Sequence, residues 1–207
     1  DADGDGADDV SGTLAEARFQ ERGDGTVEIT MSPDFDMIFA QDLPDGPDVS
    51  YTISMDMGGL TMIASGDPDL RRYDYLAPSV KMSLTSLSVD GDQIDGTFQA
   101  TATGVNGNYV MGSGDPRQVA SESNFDAVAF DVDFTDPDGN DGRIVVTGSI
   151  ADIASTSKTT LLKTADLADM AAMLAAGFAV DGSLTSGAAS YVMQAQGIDG
   201  STFNADV

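Results

Sequence analysis

DAVAFDVDF, residues 126–134, decides the fold class. Val128, Phe130, Val132 and Phe134 occupy every second position, and Ala127, Ala129, Asp131 and Asp133 fill the places between. A period of two belongs to an extended strand, whose successive side chains point to opposite sides. With one side apolar and the other charged, the stretch reads as a half-buried antiparallel strand with one wet face. RIVVTGSIADI at 143–153 pairs with it across DPDGNDG. The same alternation appears upstream in TVEITM (26–31), YTISMDM (51–57), SVKMSLTSLSV (79–89) and GTFQATATGV (96–105). Gly23-Asp24-Gly25 turns AEARFQER onto TVEITM, and Asp90-Gly91 joins the 79–89 and 96–105 strands. Gly58-Gly59 is expected to fold YTISMDM back on LTMIAS as a hairpin. ASYVMQAQGI and STFNADV, joined at Asp199-Gly200, are the last strands.

One helix interrupts the series near 165–176, in TADLADMAAMLAAGF. Thr164 caps it, Asp166 and Asp169 suit its positive start, Leu167, Met170, Met173 and Leu174 form its apolar stripe, and Gly177 ends it. Its expected place is against the sheet. It carries no Lys or Arg between 165 and 176, hence no electrostatic reason to lie on anionic lipid.

ASGDP at 64–68 and GSGDP at 112–116 stand 48 residues apart. At that shift YTISMDMGGLTMIASGDP lies on QATATGVNGNYVMGSGDP, and Asp90-Gly91 lies on Asp138-Gly139. The expected organisation is an acidic flexible terminus at 1–11 and one β-rich domain at 12–207. That domain holds an internal repeat, 51–92 and 99–140, with a partial third copy near 194–205 where QAQGIDGSTFNA resembles TATGVNGNYVMG. Chance agreement among turn-rich strands is the competing explanation. The predicted fold is all-β, an extended, curved antiparallel sheet, open barrel-like or sandwich-like, built from repeated hairpin units.

Composition narrows the chemistry. With 35 acidic residues against 9 basic ones the net charge is −26, while 41% of residues are hydrophobic. That charge repels nucleic acid and anionic lipid heads, so nucleic acid is not an expected partner. The chain has no Cys, His or Trp. Disulfides, thiolate metal sites, thiol nucleophiles and a Ser-His-Asp triad are excluded within it. No apolar run reaches the about 20 residues of a membrane-spanning helix. The chain begins at Asp1 rather than Met, as expected of a processed or trimmed protein.

Few residues suggest a site. Asp136, Asp138, Asn140 and Asp141 offer oxygen ligands at calcium-loop spacing, against the plainer reading of a hairpin loop. DADGDGADD at 1–9 opens like a calcium loop, but Gly12 stands where a bidentate Glu is wanted, and a frayed acidic terminus competes. No catalytic residue and no cofactor is expected, calcium excepted. An acidic-site hydrolase would need two facing carboxyls, a signal without weight among 35 acids. The six arginines are too scattered to propose a phosphate clamp, Arg71-Arg72 being the only adjacent pair. Met31, Met55, Met57, Met62, Met82 and Met111 on or beside strands suit either an adaptable apolar groove or ordinary core filling.

GDGTVEITM, TMIASGDPDLRRYDY and MLAAGFAVDGSLTSGAASY together resemble the exported alphaproteobacterial family catalogued as domain of unknown function 2125. The counterparts of that family's segments are Glu21 to Ile29, Ser65 to Tyr75 and Gly177 to Gly182. The resemblance implies an exported, Asp-rich β protein, periplasmic or extracellular, of a Gram-negative bacterium. It implies no activity and no catalytic residues. The expected function is non-catalytic: an envelope protein that binds a lipid, peptide or protein partner on an apolar sheet face or strand edge, with oligomerisation through strand edges as one form. A calcium-stabilised structural or surface-layer protein is the alternative, and the acidic hydrolase comes third.

Overall fold

A computed structural model describes residues 10–41, 48–114, 116–135, 142–161, 177–196 and 202–206. The architecture is all-β, and the fourteen strands form one antiparallel sheet that is not closed into a barrel. The expected helix near 165–176 lies outside the described residues, as do Asp136, Asp138, Asn140, Asp141 and the 1–9 acidic run.

Four long strands make the centre: β7 (Leu70–Val89), β9 (Gly96–Gly112), β10 (Arg117–Thr135) and β11 (Arg143–Leu161). They follow one another as a meander, β10 pairing with β11 from Arg117↔Leu161 to Thr135↔Arg143. On the flanks each pass of the chain is split in two. β5 (Val49–Asp56) and β6 (Thr61–Asp67) pair with the C-terminal and N-terminal halves of β7. β4 (Asp34–Gln41) pairs with β5, and β3 (Val27–Met31) with β6. β1 (Val10–Gly12) and β2 (Ala17–Glu21) line β4 and β3. On the far side β12 (Ala179–Thr185) and β13 (Ala189–Gln196) share β11, and β14 (Thr202–Asp206) pairs with β13. A two-residue strand, β8 (Asp92–Gln93), folds back on the end of β7. Val10 and Ser11, inside the stretch expected to be a flexible terminus at 1–11, pair with Phe39 and Ile38.

The split is a seam that crosses the whole sheet. It runs through Ser32-Pro33, residues 57–60, Pro78, Gly104, Asp126, Asp152 and residues 186–188. Each pass supplies its own local cause. Pro78 has no N–H for the ladder. Gly104 at φ +61 and Asp152 at φ +50 occupy the left-handed region. Gly58-Gly59 is one of these breaks and not a hairpin. Leu60 N donates to Met57 O at 3.0 Å, a one-turn kink, after which the chain carries on along β7. The repeated unit is accordingly a long kinked strand, an SGDP turn and a second long strand.

Pro68 and Pro116 both lie in hairpin turns at the same end of the sheet, where Ser113 N donates to Asp69 O at 2.9 Å. Tyr75 and Ser123, 48 apart, hydrogen-bond through their hydroxyls at 2.6 Å. Residues 101–112 lie within β9, whereas 194–205, the expected partial third copy, spans the end of β13, residues outside the described ones and the start of β14. Residue 104 shifted by 48 is Asp152 in β11, and both seam residues have positive φ.

Above and below the seam the sheltered side chains change parity. Ala77, Val105, Phe125 and Ile153 lie on one side of the break, and Val80, Ala102, Val128 and Ile150 on the other, a step of three in place of two. This step keeps the less exposed, apolar series on one side of the sheet. Only Ala77 and Val105 are buried apolar residues among those described. The rest of the apolar series is half-buried or exposed, because no second layer of described residues covers it. The accessible surface is 12924 Å². A compact monomer of 21.3 kDa exposes about 9100 Å².

Candidate functional site

The sheltered face has two zones. Below the seam it is almost purely apolar: Phe98, Val128, Phe130, Val132, Val146, Met82, Leu84, Met55 and Ile53 meet across strands by register. Phe39 and Tyr51 stack at 4.7 Å toward its edge. The face depends on close approach at Gly148, where a Cβ would lie 2.6 Å from the Phe130 ring and 2.7 Å from Ser190 O. Met55, Met62, Met82 and Met111 all belong to this side, in a layer that no other described residues cover.

Above the seam the same face gains hydroxyls. Tyr73 and Tyr109 stack at 4.6 Å, and the Tyr109 hydroxyl reaches Met62 Sδ at 3.9 Å. Burial, with a smaller contribution from Tyr73, pushes the Tyr109 phenol above its ordinary value. Ser121 and Ser157 share a hydrogen bond at 2.9 Å beside them. The row nearest the hairpin ends is Arg71, Met111 and Val119, and Arg117 lies two residues before Val119 on the same side.

No known protein family, curated protein or solved structure matches this chain.

The opposite face is polar. A shallow hollow of about 440 Å³ there is lined by Arg72, Asn108, Glu122, Thr156, Lys158 and Asp181, among others. Arg72 is bound to the Asp74 carboxylate at 2.6 Å. A second hollow of about 460 Å³ lies between β1 and β4 around Thr13, Asp34 and Asp36. Neither gathers acid–base machinery. Among the described residues the carboxyls displaced from their ordinary range are Glu16, Asp24 and Asp133, and all three are held lower. Hydrogen bonds from Arg18, Thr26 and Arg143 respectively are the first cause of each. An acid poised to give up a proton near neutrality needs the reverse shift. Among the described residues no group of three or more acidic side chains is arranged to hold a metal ion.

Sequence spacing missed the two features that organise the face. The parity step at the seam is invisible until strands are paired. The Arg71-Arg72 pair is no clamp: the two side chains point to opposite sides of β7, and Arg71 instead shares its surroundings with Arg117. The only sequence signal was the odd parity of 71, 73, 75 and 77 in β7 and of 117, 119, 121 and 123 in β10.

Proposed function

We propose that this chain is a non-catalytic binding protein of the bacterial envelope that holds an apolar ligand on the sheltered face of its sheet. The observation that carries the reading is the broad apolar side of a single antiparallel layer, left open among the described residues. Monomeric soluble proteins rarely leave contiguous apolar patches beyond a few hundred Å², and larger ones mark ligand, membrane or partner sites. The methionines on this face support binding. A lipid acyl chain fits best, because the face is a long strip without a deep pocket and the aromatic rings along it are mostly Phe. The envelope location, and kinship with the exported family catalogued as domain of unknown function 2125, rest on the segment resemblances, the cysteine-free composition and the acidic surface.

The test is organic extraction and native mass spectrometry of the protein purified from a bacterial host, followed by titration with dodecanol in a fluorescence-displacement assay. A co-purifying acyl lipid, or saturable displacement, supports the reading. A ligand-free protein that neither takes up an apolar dye nor binds dodecanol overturns it.

A further inference from the structure

The geometry points to an anion-binding pocket at the rim of the sheltered face, formed by Arg71 and Arg117, that takes the carboxylate or phosphate head of an amphiphile whose chain lies on the apolar zone. The inference rests on the apolar-ligand reading above and names the ligand class.

Charge is scarce and unevenly used. Of the six arginines, Arg18, Arg72 and Arg143 are each in contact with a carboxylate, Glu16, Asp74 and Asp133. Arg71 and Arg117 have no ion pair among the described residues. They flank Met111 around a cavity of about 60 Å³ that Pro68 and Ser113 also line. Arg117 Nη1 reaches only the Met111 sulfur, at 3.5 Å, which is a weak acceptor. Among the described residues Arg117 Nε, shielded from solvent, has no partner. A buried guanidinium N–H without an acceptor is costly, and a bound oxyanion would satisfy it.

Two carboxylates of the adjoining hairpins are already engaged in hydrogen bonds there. Asp67 Oδ1 accepts from the backbone N–H groups of Asp69 and Leu70 at 2.9 and 3.0 Å. Asp69 Oδ1 accepts from the Ser113 hydroxyl at 3.0 Å. Asp115 lies outside the described residues. Down the face from the two arginines come Tyr73 and Tyr109, then the buried pair Ala77 and Val105, then the Phe and Val rows beyond the seam. Six residues of β7 separate Arg71 from Ala77, about 20 Å at strand rise. Polarity thus falls from cation through hydroxyl to hydrocarbon along one strand direction, matching an amphiphile lying lengthwise.

The net charge of −26 makes the test sharp. The whole-molecule field favours a cationic amphiphile, while the local arginines favour an anionic one. Dodecyl phosphate, dodecanol and dodecyltrimethylammonium share one chain and differ only in the head. Each is titrated at pH 8 into wild type, Arg71→Gln, Arg117→Gln, the double variant and Arg72→Gln, with circular dichroism checking the fold. Wild type is expected to bind dodecyl phosphate roughly tenfold or more tightly than dodecanol, the scale of charge-assisted hydrogen bonds. The preference should shrink with added salt, vanish in the double variant and persist in Arg72→Gln, while dodecanol affinity stays unchanged throughout. If either single variant fails to fold, the salt dependence in wild type carries the test.

Equal wild-type affinity for phosphate and alcohol heads, or a preference that survives the double substitution, overturns the head-group pocket and leaves the apolar face standing. Absence of dodecanol binding overturns the apolar-face reading itself. Inorganic phosphate binding as tightly as dodecyl phosphate, and lost in the double variant, identifies a free-anion site and overturns the amphiphile assignment.

Discussion

Gly104 shows what a single residue does for this sheet. Its φ of +61 is a region where most L residues cost about 1–2 kcal/mol. A Cβ there would also lie 2.1 Å from the Asp126 carboxylate. Gly104→Ala is therefore expected to lower stability by about 1–2 kcal/mol or more, read as a shift of the urea midpoint. Asp152, at the seam in β11, has a φ of +50, and Asp152→Gly should leave the midpoint nearly in place. A tolerated alanine at 104 would show that the seam does not need that backbone geometry. The Asp133–Arg143 pair makes a second residue-scale prediction. The Arg143 guanidinium holds the Asp133 carboxyl below its ordinary value near 3.8, chiefly through the hydrogen bond and then through charge. A carboxyl with a lowered folded pKa contributes stability above the unfolded value, and loses it as pH falls from about 3.8 through the folded value. The pair is solvent-facing, so the effect is small. Acid titration of wild type against Arg143→Ala should show the two unfolding curves converging below that pH, and parallel curves would deny the pair any role.

At the scale of the element, the described strands meet their neighbours in the ladder, and no second layer of described residues covers them. Phe130 lies over Gly148 and is only half-buried. Full burial of a Phe side chain stabilises by about 1.5–3 kcal/mol, so Phe130→Ala should cost roughly half of that. In a filled two-layer core the same change costs about 3–5 kcal/mol. Chemical denaturation distinguishes the two, and the larger loss would mean that something covers the face. The same variant should weaken dodecanol binding several-fold. The element scale also explains how the repeat works. SGDP closes two hairpins at one end, and the seam recurs in every long strand because a kink confined to one strand would break its ladder with both neighbours.

For the whole molecule, exposed area and charge decide behaviour. From 12924 Å² of surface and a mass of 21.3 kDa, folding buries about three-fifths of what the unfolded chain exposes. That is the share of a domain of about 60 residues rather than one of 207. The denaturant m-value scales with newly exposed area, so it should fall below the trend for a chain of this length. An m-value on the trend would indicate a more compact molecule. Self-repulsion at a net charge of −26 should be relieved by screening, so the melting temperature is expected to rise between low and physiological ionic strength. A melting point indifferent to salt would show that the spread of charge over so wide a sheet already keeps repulsion weak.

Strand content, most turn positions and the apolar and polar sides of each strand were readable in the letters. They are local properties: alternation, glycine and aspartate at turns, and a fixed chain distance between them. The pairing partners were not local. Gly58-Gly59 carries the same letters whether it closes a hairpin or kinks one long strand, and only the register of β5 and β6 on β7 separates these outcomes. Arg71 and Arg117 come together because β9 lies between β7 and β10 and brings Met111 beside both. Neighbourhood across strands is set by register, a sum of many ladder and side-chain contacts over the sheet, and no short window of sequence contains that sum.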